Sequence, residues 1–442
     1  MTSRRIARTY YVIAFVYTLS ASLIWGINTI FLMRSGALTL MQVFVANAVF
    51  TGSMAVFEVP TGLVADAKGR RLSFLLSVAV LFVGTLAYVA VPALGGGLTA
   101  FLLVSIVLGL GYTFYSGAVE AWLIDALNAT GSHEPVDRVL ARGQIFASAA
   151  MLVGTVSGGL LASINLSAPY LARAGLLAIA FVVGYVAMHD LGYAGRPLSW
   201  REVPGEMAKI GRESLQFGWR VPNARLAILA GAAPAIFLEW GYHAWQPYFL
   251  QLLGMDAVWV LGWVAAATGL ASMLGNWLVE RATRYCGRRT TLLLGAAALY
   301  AATSIAVGLV GSFALALTAY LIGMMSAGVF QPVRQAYLHQ VVPSQQRATV
   351  LSLASLVSSG GSMMGQAGLG ALAGRTSLAL GYVVGGALTS LAIPPLLAMR
   401  RLGGTPDLII GQAGRYSACS TLALPEGVST AAERDVEVTR VA

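Results

Sequence analysis

Charge is scarce in this chain. Asp, Glu, Lys and Arg together make up 10% of its 442 residues, while hydrophobic residues make up 57%. An ordinary soluble domain is roughly 25% charged, so this balance excludes a soluble enzyme. Cysteine is scarcer still. Cys286 and Cys419 lie far apart in the sequence, which excludes a disulfide framework and gives a metal site too few ligands. The four histidines, His133, His189, His243 and His339, are scattered rather than clustered, so neither metal nor membrane-embedded catalysis is expected. The chain contains no phosphate-binding loop and no nucleotide-binding fingerprint, which excludes direct drive by ATP. No cofactor is expected. Acidic residues are outnumbered 18 to 28 by basic ones, for a net charge of +10. In a soluble protein that excess would suggest nucleic acid. Here the arginines sit in short loops between apolar runs, so membrane topology explains them and no nucleic-acid partner is expected.

Long apolar runs are what the chain has instead. A helix crosses the hydrocarbon in roughly 20 residues, and twelve such runs can be placed by apolar length and flanking charge. They lie near 10–33, 40–65, 72–94, 98–127, 139–164 and 168–189, then near 225–250, 256–280, 290–310, 312–341, 348–373 and 377–399. The first follows Arg4, Arg5 and Arg8 but is too long for a signal-peptide core, so it is read as an uncleaved helix. This predicts an all-α membrane protein. Residues 1–190 form a first six-helix bundle and residues 224–401 a second. Between them, 191–223 form a cytoplasmic linker whose stretch EMAKIGRESLQFGW has the period of an amphipathic surface helix. Residues 402–442, rich in Gly, Ser and Thr, read as a disordered cytoplasmic tail.

Basic residues set the expected orientation. With both termini cytoplasmic, Arg34, Arg173 and Arg375 are the only Lys or Arg residues on or near the outer side, a strong positive-inside bias. The chain is therefore expected to be a multi-pass protein of the cell (inner) membrane, acting as a monomer. The two halves also echo each other. A stretch running from AWLIDAL to GTVSGGLLA in the first half parallels one running from AYLHQVV to GQAGLGALA in the second. Internal duplication of this kind marks secondary transporters, whose site lies where the halves meet.

After the second span the chain reads EVPTGLVADAKGRR, from Glu58 to Arg71. Its core, Gly62, Asp66, Gly69, Arg70 and Arg71, resembles the loop 2–3 signature of the major facilitator superfamily, in the expected loop. The second copy, ERATRYCGRR, keeps the Gly-Arg-Arg but has Arg284 where Asp66 would align. Gly62 is read as permitting close helix approach and Gly69 as permitting a tight turn. The resemblance covers about residues 10–400 and implies two pseudo-symmetric six-helix bundles around a central cavity. It also implies a cytoplasmic latch, in which Asp66 meets the N-terminal end of the eleventh helix near Arg347 and Arg70 pairs with Asp125.

Ionisable side chains inside spans cost about 2.5–3.5 kcal/mol each on insertion scales, so each is a functional candidate. Glu58, Glu120, Glu239 and His243 are the candidates for proton coupling, Glu58 being also close enough to Asp66 to serve the latch. Glu239 and His243 lie four residues apart, on one helix face. The resemblance implies that helices one, four, seven and ten line the cavity. On that basis Trp25, Asn28, Trp240, Tyr242, Gln246, Phe330, Gln331 and Arg334 are candidate substrate contacts, with Arg334 alternatively the ion-pair partner of one of the carboxylates. Aromatic residues beside a carboxylate suit an apolar or cationic substrate. The Glu58 and helix-four segments resemble bacterial drug-efflux members, which implies exchange of a lipophilic or cationic small molecule for protons. Two departures stand against that pattern. Ser105 occupies the position of a helix-four arginine, and GTVSGGLLA lacks the helix-five proline. The competing reading is an uptake permease for a small polar nutrient.

Overall fold

The computed structural model describes residues 2–131, 135–193, 205, 219, 221–342 and 347–409. His133, the linker's amphipathic segment apart from Trp219, and the tail beyond residue 409, with Cys419, lie outside the described residues. The first part of the expected disordered tail is instead fixed, because Asp407 is buried and accepts hydrogen bonds from Thr290 N–H at 2.8 Å and Thr290 Oγ1 at 3.0 Å.

Among the described residues there are twelve helical passes, in two sets of six. We number them α1 to α12 and count an interrupted helix as one. The first set is α1 (Ser3–Trp25, resumed as Asn28–Arg34), α2 (Leu40–Lys68), α3 (Arg70–Ala93), α4 (Leu98–Tyr115, resumed as Ala118–Ala129), α5 (Val136–Ile164) and α6 (Ala168–Ala187). The second is α7 (Pro222–Leu253), α8 (Val258–Tyr285), α9 (Arg289–Leu309), α10 (Phe313–Val341), α11 (Arg347–Arg375) and α12 (Leu378–Thr389, a 3-10 turn at Ser390–Ala392, then Ile393–Leu402). Eleven of the twelve are apolar and long enough to cross a membrane on those grounds alone. The exception, α11, reaches full length, but Gln366 and its many glycines and serines dilute its hydropathy.

Each interruption has a local cause. In α1 the chain kinks at Gly26 and Ile27, the latter at φ −130° and ψ −8°. In α4, Gly117 adopts φ +71°, a left-handed conformation that glycine reaches without steric cost. In α12, Pro394 and Pro395 lack N–H groups, so the preceding turn cannot close α-helical bonds and tightens to 3-10.

The internal echo in the sequence has a packing explanation. Helix α5 lies on α1 in the first bundle, and α11 lies on α7 in the second. A Cβ added at Gly158 would fall on the backbone carbonyl of Leu23 in α1. One added at Gly365 would fall on that of Ile236 in α7. Both repeats therefore need glycine for the same backbone-to-backbone approach. The bundles meet along two seams, α5 with α8 and α2 with α11, which exchange under the pseudo-two-fold relation. Gly159 and Gly262 touch backbone to backbone in the first seam, and Phe44 packs on Gly370 in the second.

The hydrophobic core is divided unevenly along the membrane normal. We call the end with both termini and the Arg-rich turns the basic end. At the opposite end, one apolar cluster joins the two bundles, with Phe31, Phe44 and Tyr170 of the first packed together with Trp240, Trp245 and Tyr382 of the second. Toward the basic end the core splits in two. Ile6, Phe74, Trp122 and Leu177 belong to the first bundle only, and Ile228, Leu293, Tyr337 and Leu396 to the second only. The molecule is joined at one end and parted at the other.

Candidate functional site: a cavity between the bundles

Where the single core divides, a cavity of about 240 Å³ lies between the bundles. The first bundle supplies most of its wall: Trp25 and Asn28 from α1, Asn47, Phe50 and Thr51 from α2, Thr85 and Tyr88 from α3, Ser105 and Tyr112 from α4, and Tyr170 and Arg173 from α6. From the second bundle α7 contributes Glu239, Tyr242 and His243. These three follow the spacing i, i+3, i+4, so they form one stripe on the helix.

The polar groups of the first bundle are organised around Asn28 and Arg173. The Asn28 side-chain oxygen accepts hydrogen bonds from Tyr170 Oη at 2.8 Å and Tyr88 Oη at 3.2 Å. Its amide donates to Asn47 Oδ1 at 3.5 Å. Arg173 is 1% exposed. It donates from Nε to Thr85 Oγ1 and from Nη1 to Tyr112 Oη, each at 3.1 Å. Although it was counted among the basic residues on or near the outer side, its backbone lies early in α6 and its side chain turns into the bundle. Reading positions by their distance from a loop missed Arg173. The signal was available, because a charge inside an apolar run is costly and calls for a function.

Five of the expected cavity residues lie elsewhere. Trp240 is one helical step from Glu239, so it faces the core that joins the two bundles, 5.6 Å from Phe44 and 5.2 Å from Tyr382 between ring centroids. Gln246 is fully buried above the cavity. Phe330 belongs to the basic-end core of the second bundle, and Gln331 on the same helix is exposed. Arg334 is buried against Gly231 of α7. Its one described hydrogen bond runs from Nη2 to Gln331 Oε1 at 3.3 Å, and Nε and Nη1 have no partner. It therefore forms no ion pair with the candidate carboxylates. Helix α10 contributes nothing to this cavity. Glu58 and Glu120 are exposed and do not line it either.

Gln246 has a different task. The kink in α1 leaves Trp25 C=O and Thr29 N–H without intrahelical partners, as at any helix end. The Gln246 amide donates to Trp25 C=O at 3.0 Å and accepts from Thr29 N–H at 2.9 Å. Thr29 Oγ1 also donates to His243 C=O at 3.0 Å. A side chain of one bundle thus caps a broken helix of the other. Nearby, Arg34 and Asp256 form an exposed ion pair at 2.6 Å.

At the basic end the described bonds of the signature loop stay within the first bundle and the start of the linker. Asp66 pairs with Arg70 at 2.6 Å, so Arg70 is not engaged with Asp125. Tyr193 Oη donates to Asp66 C=O at 2.6 Å, and Arg71 donates to Asp190 Oδ1 from its backbone at 2.9 Å and to Tyr185 C=O from its side chain at 2.6 Å. Gly69 turns at φ +105°, and a side chain there would strike Asp190. Gly62 does not mediate close packing, since a Cβ added to it meets nothing within 4 Å. The reason is the separation of the two cores at this end. The side chain of Arg347 lies outside the described residues.

Twelve passes, a duplicated bundle and a polar cavity at the bundle boundary define a multi-pass membrane protein of transporter architecture. A sequence profile of the Major Facilitator Superfamily matches residues 10–366, and the chain belongs to that superfamily of transporters. It is similar to the uncharacterized MFS-type transporter YxaM of Bacillus subtilis (strain 168), 23% identical over 357 residues covering 78% of this chain and 84% of that protein. Among solved structures it resembles the nucleoside transporter NupG, with a TM-score of 0.72 at 12% identity, covering 90% of this chain and 99% of that one. It also resembles a peptide transporter, POT, solved in complex with sulfate, with a TM-score of 0.71 at 15% identity, covering 91% and 95% of the two chains.

Proposed function

We propose that this protein is a secondary active exporter that exchanges a lipophilic or cationic small molecule for protons by alternating access. The observation that carries this reading is Glu239, a carboxylate on the cavity stripe of α7 with Tyr242 and His243 beside it. A carboxylate in such a wall binds either a proton or a cation, which is the competition that exchange requires, and the surrounding rings add cation–π attraction. With the basic end placed in the cytoplasm of a bacterial inner membrane, as the arginine distribution supports, the parted cores correspond to an inward-open state.

Closing that end is assigned to the signature loop. In this reading Asp66 releases Arg70 and meets the positive N-terminal end of α11, while the open space at Gly62 becomes the surface onto which α11 closes. In this reading Glu58 and Glu120, both exposed outside the cavity, serve as secondary proton carriers. The uptake reading draws its support from the Asn28, Asn47 and Arg173 groups, which would suit a polar nutrient.

Reconstitution into proteoliposomes under an imposed pH gradient tests the proposal with a panel of cationic dyes. Uphill dye movement that follows the gradient in the wild type and is lost in Glu239→Gln is the expected result. Dye flux indifferent to both the gradient and the substitution would overturn exchange.

A further inference from the structure

The exporter reading accounts for Glu239 and leaves Arg173 unexplained. A guanidinium that is 1% exposed normally has a carboxylate partner, because burying an unpaired charge is expensive. Its described hydrogen-bond partners are two neutral hydroxyls, those of Thr85 and Tyr112, which accept from Nε and Nη1, and the guanidinium carbon lies 5.6 Å from the centroid of the Tyr112 ring. Nη2 donates no hydrogen bond to a described residue, and the side chain forms part of the cavity wall. The first bundle therefore holds a fixed, charged donor at the cavity without an anion to complement it. The carboxylate that lines the same cavity, Glu239, belongs to the other bundle.

We propose that Arg173 is the anion subsite of the transport cavity, and that the solute is amphoteric, with an acidic group for Arg173 and an amine end for Glu239. This rests on the reading of the cavity as the substrate site. A guanidinium held by neutral hydroxyls keeps its full charge for the ligand, and its planar fork is well matched to a carboxylate. Thr85 and Tyr112 fix the orientation of that fork in advance, so little side-chain freedom is lost on binding. The cavity lining also includes Trp25, Phe50, Tyr88 and Tyr242, which suit an aryl or alkyl body. A cavity of about 240 Å³ in this conformation has room for a solute of roughly the size of an amino acid or a small conjugate.

The test uses three probes that share one phenyl body: phenylalanine, 2-phenylethylamine and 3-phenylpropionate. Affinities are read by tryptophan fluorescence on the detergent-solubilised full chain at fixed pH. The wild type should hold phenylalanine at least ten times more tightly than either singly charged probe. Arg173→Gln should bring phenylalanine down to the level of the amine, and Arg173→Lys should restore part of the preference. Equal affinity for amine and amino acid in the wild type, or binding of none of the three, would overturn the assignment. That comparison needs no variant, so it stands even if Arg173→Gln fails to insert. Preference is an equilibrium measurement, whereas exchange is a flux across a membrane. A clear preference without any response to a pH gradient therefore defeats proton exchange alone, and a gradient response without preference defeats the anion subsite alone.

Discussion

Replacing Gln246 with Leu should tip the protein out of the conformation described above. The side chain is fully buried and forms two hydrogen bonds to backbone groups of the opposite bundle. Leucine fills similar space but leaves Trp25 C=O and Thr29 N–H without partners. An orphaned buried polar group costs about 1–3 kcal/mol, so two raise the energy of the joined state by roughly 2–6 kcal/mol. In a state with the far end parted, water reaches both groups and the penalty disappears. Taking the lower bound, about 2 kcal/mol shifts the ratio of the two states by roughly 30-fold. Spin labels on Leu94→Cys and Leu309→Cys would report this. Those residues are 83% and 72% exposed at the far ends of α3 and α9, in opposite bundles. With Cys286 and Cys419 replaced by serine, the inter-label distance distribution of Gln246→Leu should gain a long component that the parent lacks. An unchanged distribution would refute the capping argument.

Three further outcomes follow from the same geometry. Asp66→Ala should abolish most transport while membrane insertion, followed by expression and gel filtration, stays normal; full activity would remove the latch. Gly158→Leu forces a side chain into the Leu23 carbonyl and should destabilise the first bundle by about 1–3 kcal/mol, seen as a lower melting temperature in detergent. Arg34→Ala breaks an ion pair whose side chains are 41% and 68% exposed. Such pairs are worth about 0–1 kcal/mol, so the spin-label distribution should move far less than with Gln246→Leu.

The fold was legible because the bilayer imposes a simple length rule on apolar runs, and the runs here are separated by charge. Even α11, whose hydropathy is diluted by glycine and serine, was placed by its apolar length and flanking charge. Helix faces were harder to read. On a helix apolar all around, hydrophobicity does not say which side faces the cavity. Along α7 the residues Glu239, Tyr242 and His243 share a stripe, whereas Trp240 is rotated about 100° from Glu239 and enters the core. The kink in α1 was invisible as well, and with it the reason for Gln246. Arg334 and Arg173 show the limit most clearly. Both are buried arginines in apolar surroundings, yet Arg173 reaches the cavity and Arg334 packs against Gly231, a distinction made by tertiary packing alone.

The contact of Gly159 with Gly262 has a kinetic consequence. Interlocked side chains behave like gear teeth and must be lifted out of register before two surfaces can turn past each other. Two bare backbones have no teeth, so this seam works as a bearing. If the bundles rock about this contact, the pace is expected to fall to the polar groups that fasten the ends. Adding even a methyl at the bearing would slow the turnover of a protein whose cavity had not been touched.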